Sequence, residues 1–326
     1  MKKVLSIVAL IAMIALPVFA EGSTESKNSA GFVPTKDVEW TCTSKPGGGS
    51  DIFTQQIKDA MKVNGISDAN VVVSYVTDGG GEVGRLQVAM TPKAKADHTI
   101  LTFNSGDLMP MCANTDNRIE NFTPLAIMAV DKQLLFIGEH SKYASWQEIL
   151  DALKAGQKIV IAGSKGDDIE TYNYLIKELG VTEAQLAFIT NDATSGAITS
   201  LLGGHVDLCM SKPAAASQYV EAGKMTPVLA LSTSRFTADK LKDAPTLSEF
   251  GYNNVEVPVW RGVVGPKEMS AEAAAYWVAC LEAVSKTAEW NTYITNNGLV
   301  SDFIGGADAV AYMTQYQKDY LAKIGK

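Results

Sequence analysis

Three loops rich in glycine, serine and acidic residues carry the side chains and backbone freedom from which an anion site is built. The first is Pro46-Gly47-Gly48-Gly49-Ser50-Asp51, between the apolar stretch VEWTCT and the helical run TQQIKDAMKV. Glycines allow positive φ and close backbone approach, so successive N–H groups can converge on one point. The free N–H groups and dipole of the helix that follows favour an anion, and Ser50 or Asp51 is placed to cap it. The GK[ST] ending of a nucleotide-binding P-loop is missing. A plain glycine turn with a helix cap is the competing reading of this loop.

The second loop, Asp78-Gly79-Gly80-Gly81-Glu82-Val83-Gly84, follows NVVVSYVT and contains the spacing G-x-G-x-x-G. A dinucleotide site also needs an acidic residue ending the next strand to hold the ribose. That strand, HTILTF, ends in Asn104 and Ser105, with Asp97 before it and Asp107 beyond it. The third loop, Ala162-Gly163-Ser164-Lys165-Gly166, has the form of a nucleophile elbow with Ala for the first Gly. A triad needs a histidine within reach of Ser164. His205 precedes its strand whereas Ser164 follows its own, which puts them on opposite edges of a parallel sheet. His98 also precedes its strand, and His140 falls in a surface loop. Both enzyme readings, dehydrogenase and serine hydrolase, therefore lack a required group. Three scattered histidines without ligand spacing give no metal centre, and no cofactor is expected. Lys45, Lys165, Lys212 and Arg261 lie in or near such loops, and for each a solvated surface role is expected.

Strand-like and helix-like runs alternate along the chain, and they must position these loops. VEWTCT, NVVVSYVT, HTILTF, KIVIAG, AFIT, VDLCM and PVLALST are separated by amphipathic runs, the pattern of parallel sheets covered by helices. Such sheets place ligands at the C-terminal ends of their strands. Two stretches break the alternation: PLAIMAVDKQLLFIG (124–138), with room for two strands, and VEVPVWRGVVGP (255–266). They read as crossings between two domains, one of residues 32–127 plus 258–326 and the other of residues 128–257.

Lys2 and Lys3 followed by the apolar run Val4–Leu16, Pro17 and small residues to Ala20 read as an export signal over 1–20. A polar leader occupies 21–31. Without Lys2 and Lys3 the chain carries 26 basic against 36 acidic residues, a net −10, which excludes nucleic acid and anionic membrane as partners. Export permits a disulfide, but the spacing of Cys42, Cys112, Cys209 and Cys280 establishes none, and buried free thiols are an equal alternative.

In their order, these strings resemble the receptors of tripartite tricarboxylate transporters, the TctC or Bug family, over nearly the whole mature chain. The matching strings are Pro46 to Asp51, Gly79 to Gly84, Gly163 to Asp168 and LLGGHVD (201–207). AGKMTPVLALST (222–233), APTLSEFGY (244–252) and WRGVVGP (260–266) complete the set. The resemblance implies an α/β, type II-like periplasmic-binding-protein fold: two domains, each a mainly parallel sheet flanked by helices, closing on a ligand between them. It implies a non-enzymatic periplasmic receptor that passes a di- or tricarboxylate, or a related acid, to membrane permease subunits. An amino-dicarboxylate or aromatic acid is a variant within the family, and a fold repurposed for protein contacts is an alternative outside it. Carried over by motif, the ligand residues are Gly48, Gly49, Ser50, Asp51, Gly80, Gly81, Glu82, Ser164 and Asp168. Ser211, just beyond VDLCM, is added on position alone. The chain departs from the family at 190–196, where Thr190-Asn191-Asp192-Ala193-Thr194-Ser195-Gly196 replaces the usual PYKGG. Glu82 is also unusual beside an anion: it turns outward or meets an amino group on the ligand.

Overall fold

Two separate β-sheets organise the chain in the structure, a computed structural model that describes residues 31–326. The expected export signal and all of the leader but Gly31 lie outside the described residues. The first sheet holds β1 (Val38–Cys42), β2 (Val71–Tyr75), β3 (Thr99–Asn104), β4 (Phe122–Asp131), β10 (Val259–Pro266) and β11 (Val300–Gly305). The second holds β5 (Gln133–Gly138), β6 (Ile159–Ser164), β7 (Leu186–Asn191), β8 (Leu208–Ser211) and β9 (Met225–Leu231). Strand order is β11-β4-β10-β3-β1-β2 in one and β7-β6-β8-β5-β9 in the other.

Both sheets are mixed, where mainly parallel sheets were expected. β1 lies parallel to β2 and β3, and β6 lies parallel to β7 and β8. β10 runs antiparallel to both β3 and β4, β11 to β4, and β5 to both β8 and β9. The reason lies in the connections. Strand–helix–strand crossovers make the parallel pairs, whereas β5 and β10, the strands by which the chain enters each sheet from the other, run the other way. β4 stays in the first sheet to Asp131, and after Lys132 alone the chain enters the second sheet as β5. β10 brings it back and pairs with β4 from Val259↔Asp131 to Pro266↔Phe122, so the two crossings lie side by side.

Each sheet is anchored by its own core. Trp40, Phe53, Ile57, Trp277 and Trp290 pack on the first; Trp146, Ile149, Leu153, Tyr172 and Leu175 pack on the second. Each such side chain taken out of water contributes about 1.5–3 kcal/mol. β3 and β10 are buried along their whole length, which explains why TILTFN and VWRGVVGP show no polar alternation. These rigid central strands deliver their C-terminal or crossing residues to the space between the sheets.

Candidate functional site

The C-terminal ends of β1, β3, β6, β7 and β8 converge on one cleft. It is lined by Thr43, Ser44, Gly48, Gly49 and Ser50 after β1, and by Asn104, Gly106 and Asp107 at the end of β3. From the second sheet come Ser164, Lys165 and Asp167 after β6, Asp192, Ala193 and Thr194 after β7, and Lys212 after β8. Gly80, Val259 and Arg261 complete a cavity of about 70 Å³.

Five helices begin at this cleft, and none has a side-chain cap. They are Gly49–Val63, Ser105–Asn114, Asp167–Leu179, Thr194–Leu202 and Pro213–Glu221. Ser145, Ser270 and Thr287, none of which lines the cleft, do cap the helices that follow them. In the first helix the earliest intrahelical bond runs from Ile52 N to Gly48 O, 3.0 Å, so the N–H groups of Gly49, Ser50 and Asp51 have no partner within the helix. In the third, the earliest runs from Glu170 N to Gly166 O. Each N-terminus carries roughly half a positive charge. Their convergence makes the cleft a seat for an anion without requiring an unpaired cation.

Side-chain charges in and behind the cleft are paired. Arg261 donates from Nε and Nη2 to Asp131 Oδ2 at 3.0 and 2.7 Å, and both residues are buried. Its Nη1 makes no hydrogen bond among the described residues. Lys212 is buried and donates to both Asp167 and Asp168. Gln133 Nε2 reaches the same two carboxylates at 2.6 and 3.0 Å. Burial opposes the charge on Lys212, but the two carboxylates outweigh it and hold the ammonium pKa above its ordinary value. Burial also opposes charge on Asp167, where Lys212 prevails and lowers the pKa; on Asp168 burial prevails and raises it. Two carboxylates sharing one ammonium are pushed apart in this way.

The sequence-derived site residues divide into two groups. Gly48, Gly49, Ser50, Gly80 and Ser164 line the cleft. Asp51, Gly81, Glu82, Asp168 and Ser211 stand behind it. Asp51 accepts from Gly47 N at 2.7 Å and from Tyr75 Oη at 2.7 Å, so it fastens the loop. The residue at the N-cap position is Gly48, not Ser50 or Asp51. Gly81 spends its N–H on Thr77 O. Glu82 turns inward: it accepts from Arg85 Nε at 2.8 Å and from Asn117 Nδ2 at 3.1 Å, away from any ligand. Asp168 accepts from Ser164 N at 2.6 Å and Oγ at 2.7 Å, and Ser211 Oγ donates to Lys212 O at 2.9 Å.

Lys212 and Arg261, expected at a solvated surface, are instead buried at the cleft wall. Asn104, Asp107, Asp167 and Thr194 went unselected, although each sits at or just beyond the C-terminal end of a parallel strand. Applying that positional rule to every strand, and not to glycine loops alone, would have found them. Asp192, from the stretch that departs from the family pattern, accepts from Lys45 across the cleft at 2.8 Å and lies 3.0 Å from Lys165. Hydrogen bonds from these two lysines hold its pKa down at about 2.

A family model described as "Tripartite tricarboxylate transporter family receptor" matches residues 52–324. Compared by sequence with curated proteins, the chain matches none. Among solved structures it is similar to the periplasmic binding protein BugD, at 21% identity and TM-score 0.77, covering 90% of this chain and 98% of that one. It is also similar to MatC from Rhodopseudomonas palustris with bound malate, at 18% identity and TM-score 0.75, covering 89% and 98%. A third is an R. palustris protein with adipate, at 16% identity and TM-score 0.73, covering 90% and 96%.

Proposed function

Because the chain belongs to the family of tripartite tricarboxylate transporter receptors, we propose that it is an exported receptor that captures a small organic carboxylate and delivers it to the permease subunits of such a transporter. The observation that carries this reading is the convergence of five uncapped helix N-termini on one cleft, with Arg261 Nη1 beside Gly49. The ligand carboxylate sits at Gly49 and Ser50, accepting from their backbone N–H groups and from Arg261. Ser164 presents acceptor lone pairs from the other side, because both of its donors are engaged by Asp168. Hydrogen bonds to a charged group contribute about 1.5–3 kcal/mol each, and a micromolar Kd needs roughly 8 kcal/mol net. A few oriented donors in a closed cleft meet that requirement.

The expected boundary at 127/128 moves to the end of β4, so that residues 32–131 with 259–326 belong to one lobe and 133–257 to the other, and the ligand is released by hinge opening at the adjacent crossings near Lys132 and Val259. The malate and adipate bound by the two R. palustris proteins support a carboxylate as the class of ligand. The test is calorimetric titration of the protein, refolded to strip carried ligand, with mono-, di- and tricarboxylates and amino acids. Saturable binding of one class, weakened by an anion added to the cleft wall beside Lys165 (Gly80→Asp), is the expected result. Absence of binding by every class removes the receptor reading.

A further inference from the structure

Asp107 is a carboxylate in the wall of a cleft that seats a carboxylate, a placement that plain electrostatics disfavours. It lines the cleft at 8% exposure. Three donors hold it: Thr43 Oγ1 at 2.7 Å and Arg85 Nη1 at 2.9 Å on Oδ1, and Asn104 Nδ2 at 2.8 Å on Oδ2. Arg85 stands behind the cleft, 2% exposed, and also donates from Nε to Glu82 Oε2 at 2.8 Å and from Nη2 to Gly80 O at 3.2 Å. The glycine motif at 79–84 makes room for this arrangement. A Cβ on Gly81 would lie 3.0 Å from Arg85 Nη1 and 2.8 Å from Thr43 Cβ. Burial pushes the pKa of Asp107 up, and Arg85 is the first group that opposes the rise. Three donors on two oxygens fit the charged form.

That charge decides which way the Asn104 amide faces. An amide can turn its oxygen or its nitrogen to a neighbour, and only the nitrogen donates. With Asp107 ionised, Nδ2 must face Asp107 Oδ2, since the amide oxygen there would meet a carboxylate. The same Nδ2 donates its other hydrogen to Ser50 Oγ at 3.2 Å. A hydroxyl that accepts from one side keeps its own proton for another acceptor. Among the described residues Ser50 Oγ donates to none, and Ser50 lines the cleft. Were the amide turned the other way, Asn104 Oδ1 would accept the Ser50 proton and draw it out of the cleft.

We propose that Asp107, paired with Arg85, is a positioning residue of the carboxylate seat: through Asn104 it makes the Ser50 hydroxyl a donor to the ligand. This inference rests on the receptor reading above, and it adds one side-chain donor to the backbone N–H groups of Gly49 and Ser50. The relay Arg85–Asp107–Asn104–Ser50 joins residues 22 and 54 positions apart in sequence across its outer links. A carboxylate of the protein thereby strengthens the binding of a carboxylate ligand. Arg85 offsets its charge, and what remains is the direction it imposes on a hydrogen bond.

The experiment is calorimetric titration of the refolded full chain with propionate, L-malate, adipate, citrate and L-aspartate, each variant being melted without ligand to check its fold. Ser50→Ala, at a helical position that favours Ala, should fold and bind the preferred acid about tenfold more weakly. Asp107→Asn frees Asn104 to turn its oxygen to Ser50. Removing a negative charge from the wall would by electrostatics alone tighten binding, whereas the relay requires it to weaken by about threefold or more. In the Ser50→Ala background the same Asp107→Asn change should weaken binding no further. Full affinity in Ser50→Ala overturns the proposal, and that result does not depend on the second variant folding. Tighter or unchanged binding by Asp107→Asn, or losses that add in the double variant, overturn it too and leave the receptor reading standing. No binding of any of the five acids by the parent overturns both.

Discussion

The space that a side chain on Gly49 would fill is taken by Arg261. A Cβ built on Gly49 would lie 2.7 Å from Arg261 Nη2 and 3.4 Å from its Nη1. The glycine loop of one segment and the arginine of a crossing strand some 210 positions later are therefore parts of one seat. Gly49→Ala should leave the fold intact, since Ala is favoured over Gly in a helix by about 0.5–1 kcal/mol. It should displace the guanidinium and weaken carboxylate binding about tenfold or more, equivalent to about 1.4 kcal/mol. Calorimetry alongside thermal melting separates the two effects. Unchanged affinity would remove Arg261 and Gly49 from the seat.

A second close approach depends on a glycine. Gly166 takes φ +66°, and a Cβ there would come within 2.3 Å of Gly106 O, on the helix that follows β3. With ψ at −111° the residue lies outside the left-handed helical region, so Gly166→Ala adds a backbone penalty of about 1–3 kcal/mol and blocks the approach of the two loops. The variant should melt only slightly lower than the parent, yet show no ligand-dependent compaction in small-angle X-ray scattering. Normal compaction would mean that the loops need not meet.

Lys212 is held by two buried carboxylates and should be structural as well as local to the site. Lys212→Met leaves Asp167 and Asp168 without a counter-charge, and breaking a buried pair in this way costs about 3–5 kcal/mol. Chemical denaturation should show that loss, and adding Asp168→Asn should restore part of it. Because the Lys212 pKa is raised on folding, its contribution is complete below the unfolded value of about 10.4. It is lost only as pH climbs from there through the raised folded value, so it is fully present near neutrality and stability there should not vary with pH on its account. A Lys212→Met variant as stable as the parent would contradict this account.

Asp192 behaves in the opposite sense. Its pKa is lowered to about 2 by Lys45 and Lys165, so the cross-cleft pair is fully formed above about pH 3.9 and weakens as pH falls through about 2. Half-exposed as it is, the pair contributes no more than about 1 kcal/mol and is screened by salt. Asp192→Asn should raise the population of open molecules at low ionic strength and have little effect at high ionic strength, as read by scattering without ligand. An effect independent of salt would point to packing, not charge.

The alternation of strands and helices, the two crossings and the glycine loops were legible because each rests on local physics: hydrophobic period, turn chemistry and the glycine requirement of a tight approach. The roles of individual polar residues were not. Glu82 sits in a stretch that reads as an exposed loop; Arg85 meets it one turn on along the same helix, and only folding brings Asn117 against it. Lys212 and Arg261 read as surface residues because nothing beside them in sequence announces a partner. Asp167 and Asp168 lie some 45 residues before Lys212, and Asp131 lies 130 before Arg261.

The order of apolar runs by itself determined that this chain forms sheets covered by helices, with loops gathered at strand ends, because burial of a periodic face needs no knowledge of distant residues. Only the tertiary structure decided which charges are spent on one another. Pairing energy depends on distance and on exclusion of water, and both are set when two sheets from interleaved segments close on one cleft. That pairing leaves the uncapped helix N-termini as the groups that face the cleft unspent.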